Sequence, residues 1–424
     1  MNIEISRLSN GLTIISDPMA NLESAALGVW VGTGSRDDLP GEMGISHMLE
    51  HMAFKGTASR SARQIAEEIE AAGGYLNAYT SREQTAFHAR VLKNDVPLAL
   101  DIVADILVRP TYEAGELERE RQVVLQELGQ ARDTPDDIIF DHLQNVIYQN
   151  QPLGWSILGD EKTVTSFTPA ALRDYSARRY RAEAMTLVCS GAVSHGAIVR
   201  IAEEKFACLR AGSAPVSPAA RYVGGEIRVE EDLEQAHIAY AFPGIAANDA
   251  DFYIAQLHAV VLGGGMSSRL FQEVREKRGL CYSIYAFTNN FQDGGFTGIY
   301  VGTGEAEAAQ VSAVIAGEME GLCRMVTDAE LARAKAQLKS GLLMGLERPG
   351  SRAEQIAGQI FTFGRVQSAA EIVAQIDRVD ANELKRYAAR VMASPSIAAI
   401  GPVGKLERHD VFAARFTRPP EAAE

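Results

Sequence analysis

With 424 residues, 46% of them apolar and 23% charged, the chain can build two to four domains and is too apolar for disorder to dominate. A formal net charge of -14 and a sequence pI of about 5.2 argue against nucleic acid as the main partner, because phosphate contact needs a basic face. No segment approaches ~20 consecutive apolar residues, so no membrane span is expected.

The first 18 residues lack a basic stretch followed by an apolar run, so no secretory or transit signal is expected. Cys189, Cys208, Cys281 and Cys323 form no Cys-x-x-Cys pair and read as reduced core thiols of a cytoplasmic protein. Residues 11–16 and 25–34 are short alternating or apolar runs and read as strands. Residues 41–57 contain His47-Met48-Leu49-Glu50-His51, the reverse of the His-Glu-x-x-His zinc motif. On a helix, residues four apart project from one face, so His47 and His51 can offer two imidazole nitrogens to one ion. Glu50 borders the same face and is placed to reach a water beside the metal. Zinc brings that water's pKa towards ~7, and a carboxylate can then take its proton as general base.

Residues 61–74 begin with a serine cap and stop at Gly73-Gly74, as a helix should. Residues 91–128 read as a strand end, a long amphipathic helix, a short connection and a second long helix. A catalytic zinc needs a third protein ligand and an open position. Glu120 and Glu127 lie two helical turns apart on one face of the second helix. One can ligate and the other support the ligands, and spacing leaves open which is which. Asp137 and Asp141 follow, four apart at a helix start.

Residues 208–222 are small and include two prolines, and they read as a linker between domains 1–211 and 212–424. Beyond it, residues 237–244 read as a strand. The run Gly263-Gly264-Gly265 reads as a helix-connecting loop, and no Gly-Lys-Ser/Thr follows to make it a phosphate cradle. Residues 301–342 repeat the pattern of 91–128, with Leu331 placed 214 residues after Leu117. The expected fold class is therefore α+β, with two similar halves, each a mostly antiparallel sheet covered by helices. The same offset sets Ala334 and Gly341 against Glu120 and Glu127, and no second inverted motif follows residue 212. One zinc ion per chain is expected, held by the first half.

These residues resemble the insulinase/pitrilysin family of zinc peptidases, in the branch of the mitochondrial processing peptidase and its bacterial relatives. The resemblance covers nearly the whole chain. In that family the third ligand lies about 75 residues past the motif, and here residues 52–126 separate His51 from Glu127. The resemblance thus implies Glu127 as metal ligand and Glu120 as its support. It also implies that the two halves face each other across a chamber, with the second half contributing substrate contacts.

Further roles come from the same resemblance. Arg275 and Tyr282, seven apart, match a pair that donates to a substrate carbonyl. Residues 76–89 are similar to the family's active-site edge strand, where Asn77 would contact an extended peptide. Phe54 matches an aromatic residue beside the cleaved bond, and Asp137 with Asp141 match acidic positions that recognise a substrate arginine. The glycine run resembles a shortened form of the family's glycine-rich loop, positioned to touch substrate. The implied protein is a bacterial zinc endopeptidase acting on extended or unfolded, presequence-like peptides with a nearby arginine, and the lack of a recognisable targeting signal makes the cytoplasm its expected location. A dimer is expected, with a homodimer first and a heterodimer with a related subunit as the alternative. The competing reading is a non-catalytic core or partner subunit of a larger peptidase or a membrane-associated complex, and the intact motif weighs against it.

Overall fold

The apolar runs become the strands of two sheets. In the computed structural model, which describes residues 2–416, the chain divides into two compact units. The first unit holds residues up to Gln130, with Trp155–Pro218 and Met344–Val366. The second holds Ala131–Gly154, Ala219–Leu343 and the residues from Gln367 onward. The units therefore differ from the continuous halves 1–211 and 212–424 by two exchanged segments, each carrying a helix.

In the first unit the strands are β1 (Glu4–Arg7), β2 (Thr13–Pro18), β3 (Ser24–Val31), β4 (Tyr75–Thr80), β5 (Thr85–Leu92) and β6 (Met185–Gly191). Their order is β1-β2-β6-β3-β5-β4, and only the β2–β6 pair is parallel. The two-residue period of a strand sends alternate β3 residues to opposite faces. Leu27, Val29 and Val31 join a core with α1 (Ile45–Ala53), α2 (Ala62–Ala71), α3 (Val96–Val108) and α4 (Ala114–Arg132). Trp30 points the other way, where Ala353, Ile356 and Ala357 of the helix Pro349–Phe363 pack on it. That helix is also pinned by polar contacts. Arg352 Nε donates to the fully buried Asp17 at 2.5 Å, and Glu354 accepts from Trp30 Nε1 at 3.1 Å and from the Tyr79 hydroxyl.

The second unit contains β7 (Glu226–Glu230), β8 (Ala236–Pro243), β9 (Cys281–Asn290), β10 (Gly295–Thr303) and β11 (Ser396–Gly401). Their order is β7-β11-β8-β10-β9, again with one parallel pair, β7–β11. One face packs Ile139, Leu143 and Ile147 of α5 (Pro135–Ile147) against Ala239, Ala241 and Ile400. The other packs Val311, Ile315 and Met319 of the helix Glu305–Arg324. From β2 and β7 onward the two sheets share one strand order and one pattern of parallel and antiparallel pairs. The fold is α+β with two mixed, mostly antiparallel sheets covered by helices.

Local signals explain several boundaries. The Ser61 hydroxyl accepts from Gln64 N at 3.3 Å and opens α2, and Gly73 behind it takes a φ of 64°. Residues 210–225 contain neither helix nor strand. All four cysteines are free, but Cys208 is exposed, so the expectation of a core thiol fails there. It sits just past the helix His195–Lys205, where the chain has left the core. Among the described residues, no helix is long and apolar enough to cross a membrane.

Candidate metal centre and active site

The site grows from the amphipathic pattern of α1. Ile45, Met48, Leu49 and Met52 recur at helical spacing and are buried in the first core. This orientation leaves His47, Glu50 and His51 half-buried on the opposite flank. The start of the helix is fixed by Gly44, whose φ of 85° favours glycine, and by the buried Asp38. One Asp38 oxygen accepts from Gly44 N at 2.9 Å and Ser46 Oγ at 3.3 Å, and the other accepts from Tyr175 at 3.0 Å. Burial still holds the Asp38 carboxyl well above the usual carboxylate range, against these hydrogen bonds.

α4 brings the glutamates. Leu117, Val124 and Leu128 bury one stripe, which carries Glu120 inward and leaves Glu127 at the rim. Glu127 Oε2 lies 3.8 Å from His47 Nε2 and 3.6 Å from His51 Nε2. The two imidazoles meet edge to face with centroids 4.6 Å apart. His51 Nδ1 lies 3.0 Å from Glu120 Oε2; a carboxylate only accepts, so the ring donates from Nδ1 and keeps its Nε2 lone pair for Glu127's side. Lys55 holds the second Glu120 oxygen at 2.6 Å.

The residues present fit a metal ion. One ligand atom from each of His47, His51 and Glu127 lies within 4.8 Å of the others. Zinc–ligand bonds of about 2.0–2.1 Å in a tetrahedron put neighbouring ligand atoms about 3.4 Å apart, close to the two nitrogen–oxygen separations here. Glu127 Oε2 and His47 Nδ1 are buried without a hydrogen-bond partner, so the oxygen turned to both imidazoles is unsatisfied by protein. Burial, with a smaller contribution from His51, pushes the His47 imidazole down to about 3, which keeps the ring in the neutral form that a cation requires.

Glu50 stands beside this cluster. Its Oε2 accepts from Thr80 Oγ1 at 2.6 Å, which ties it to the end of β4. Burial raises the Glu50 carboxyl, while the Thr80 hydrogen bond and His51 oppose the shift. The arrangement pairs a triplet that fits a cation with a separate, oriented carboxylate.

The other residues singled out from the sequence fall into two groups. In the first unit, Asn77 lies on β4, which ends the sheet, and its amide donates to the Tyr75 hydroxyl at 2.7 Å. Phe54 caps α1 and packs partly into the core, its ring 6.3 Å from that of Phe87. In the second unit, Arg275 lies 5.0 Å from the ring of Tyr282, which is 73% exposed, so the structure brings this pair together. Asp137 is exposed in the first turn of α5, and Asp141 is half-buried one turn on. Gly263 ends the helix Phe252–Gly263; a Cβ there would sit 2.3 Å from Ala286 N, so close packing on β9 demands it.

Sequence reasoning missed Thr80, Lys55 and Asp38. Lys55 had a usable signal, because it lies four residues after His51. Thr80 had none, since it reaches Glu50 of α1 from the end of β4, thirty residues further along the chain.

Comparison with known proteins agrees with this geometry. Residues 13–161 match the family described as Insulinase (Peptidase family M16), and residues 166–338 match the Peptidase M16 inactive domain. The chain belongs to peptidase family M16. A zinc protease of Rickettsia bellii, called uncharacterized, is 38% identical over 403 residues, covering 95% of this chain and 98% of the relative. A probable mitochondrial-processing peptidase subunit beta of Arabidopsis thaliana is 36% identical over 428 residues, covering 97% of this chain and 80% of the relative. The crystal structure of a protease from Helicobacter pylori has the same fold, with a TM-score of 0.87 at 22% identity over 95% of this chain and 99% of that one. The inactive M16 description falls on the segment that contains Ala334, which the 214-residue offset sets against Glu120 of α4.

Proposed function

We propose that this M16 chain is a zinc-dependent endopeptidase for extended or unfolded peptides, with a preference for a nearby arginine. The observation that carries the reading is the triplet His47, His51 and Glu127, with Glu50 oriented beside it by Thr80. His47, His51 and Glu127 would hold the ion, one per chain, and Glu120 with Lys55 would fix the His51 ring. Zinc supplies Lewis acidity, which acidifies water and polarises a peptide carbonyl.

The chain's own residues do the rest. Glu50 accepts the proton of the attacking water and returns it to the leaving amine, and its raised carboxyl suits both directions. Arg275 and Tyr282 bind a peptide carbonyl oxygen as charge develops on it. The β4 edge, with Asn77, holds extended peptide by strand pairing, Phe54 flanks the cut bond, and Asp137 with Asp141 take a basic side chain. A homodimer belongs to this reading, with twice the 45.9 kDa chain mass as its readout.

An arginine-containing quenched peptide tests it. Zinc-loaded wild type cleaves; the Glu50→Gln variant loses about 10³-fold in rate. A chelated sample is inactive until zinc is returned. Pure, zinc-loaded wild type that cleaves nothing across a broad peptide library would overturn the reading.

A further inference from the structure

The first sheet carries a hollow on the face turned away from α1, and the roles assigned above leave it unused. It encloses about 570 Å³ beside the start of the helix Pro349–Phe363, and Ser24, Ala26, His88, Arg90, Arg348 and Glu354 are among its lining. That volume suits a small polar group or a side chain. Its floor is low because β3 presents small residues there. The strand register sets Ala26 opposite Arg90 and Gly28 opposite His88, so both longer side chains stand over a shallow strip.

The charges around the hollow that lack a hydrogen-bond or ion-pair partner among the described residues are positive. The Arg90 guanidinium lies 4.7 Å over the Tyr75 ring, and Arg348 is exposed where the helix begins. Among the described residues neither guanidinium has a carboxylate partner. Glu354, the carboxylate in the lining, is already held by Trp30 and Tyr79. Two unpaired guanidiniums over a cavity, in a chain of net charge -14, present donors that match a carboxylate in geometry and charge.

We propose that this hollow is a subsite for a carboxylate carried by the peptide substrate, either an acidic side chain or a free C-terminus, about five residues from the bond that is cut. The inference rests on the peptidase reading, and its distance comes from β4. Thr80, at one end of that strand, holds Glu50, and Tyr75, beneath Arg90, lies at the other. At ~3.4 Å per residue this is roughly 17 Å of strand. A peptide paired along β4 from Glu50 therefore reaches Arg90 after about the same number of residues.

The test is direct binding to zinc-loaded Glu50→Gln protein, so that turnover plays no part. Fluorescent arginine-containing peptides carry glutamate or glutamine at successive positions on both sides of the cut bond, all with amidated C-termini. A further set ends in a free carboxylate at those positions. The expected result is about tenfold tighter binding of carboxylate peptides with the group near the fifth position. The advantage shrinks as salt rises and disappears in an Arg90→Gln/Arg348→Gln double variant. A gain from only one of the two peptide sets identifies the source of the carboxylate. Both arginines are exposed, so the double variant keeps the thermal midpoint, and lysine at both positions restores most of the gain. Equal binding of glutamate and glutamine peptides, or an advantage that survives the double substitution, overturns the proposal. Cleavage of the glutamine peptides by wild type reports separately on the peptidase reading. A carboxylate-dependent gain without cleavage removes the peptidase reading and the position relative to a cut bond, and leaves a hollow that binds peptide carboxylates.

Discussion

The two units put one strand order to different uses. In the first, α1 buries Met48, Leu49 and Met52 and keeps His47, Glu50 and His51 on its other flank. In the second, the corresponding element after the long strand β8 is the helix Phe252–Gly263, buried through Ile254, Ala255, Leu257, His258, Ala259, Val261 and Leu262. Its one histidine is 1% exposed and meets Tyr387 edge to face at 5.4 Å. The helix Asp328–Gly345 likewise has Ala334 and Gly341 where α4 has Glu120 and Glu127. The second unit folds with one buried histidine on that helix and with no glutamate at Ala334 or Gly341, so the fold itself does not require a His–His–Glu cluster. Half-buried polar groups cost free energy unless they are paired, so their presence in the first unit fits the proposed metal site.

The comparison breaks most sharply at Glu127. Glu127→Gln is expected to lose bound zinc, read by atomic emission, and about 10³-fold of activity. The reciprocal Ala334→Glu/Gly341→Glu variant is expected to gain no zinc, because no histidine pair faces those positions. Full zinc content in the first variant, or an extra ion in the second, would show that the glutamates do not mark the difference between the units.

The histidines themselves sharpen it. Burial, helped by the Arg269 charge, pushes His258 down to about 4 from an ordinary value of 6.5. The unfolded chain therefore binds the extra proton between those values. The stabilisation is complete above about pH 6.5, falls as pH drops towards 4, and levels off below. The full span is about 3 kcal/mol. Urea titrations at pH 7 and pH 4.5 should show His258→Phe losing less stability on acidification than wild type. An unchanged pH dependence would sink this account of His258.

Smaller effects lie around the ligands. Glu120→Gln should weaken zinc affinity about 10–100-fold in a chelator competition, and Lys55→Met should act in the same direction but less. Wild-type affinity in both would mean that the His51–Glu120–Lys55 chain does not orient the ring. Thr80→Val should lower kcat about tenfold with KM nearly unchanged, and Thr80→Ser should recover most of it. If serine fails to rescue, the Thr80 hydroxyl does not act by orienting Glu50.

Much of this was legible in the sequence because it is local or periodic. His47, Glu50 and His51 lie within one and a half helical turns, and Glu120 and Glu127 share one stripe, so periodicity put each set on one face, while only the family resemblance distinguished the roles of Glu127 and Glu120. The repeated strand–helix–helix pattern foretold two similar sheets. Thr80 was not legible, because it reaches Glu50 from a different element; Asp38 meets Gly44 through an irregular turn and Tyr175 across 137 residues, and neither contact follows a helical or strand period. The placement of α5 and of the helix Pro349–Phe363 was equally hidden. Both are ordinary amphipathic helices with Pro at their first position, and nothing in that pattern says which sheet will receive the apolar face.

That placement sets a timetable for synthesis. The strands of the first sheet are complete at Gly191, but the helix that covers Trp30 begins only at Pro349, about 160 residues later. At ~5–20 residues per second the ribosome needs on the order of 10–30 s to supply it. α5 waits longer still, since Ile139 and Leu143 pack near Ala398 and Ile400 of β11. A nascent chain released at residue 211 would carry His47, His51 and Glu127 with an uncovered sheet face and an unpartnered helix. Such a fragment should aggregate unless a chaperone holds it, and the chain can close its first unit only after most of its second half has been translated.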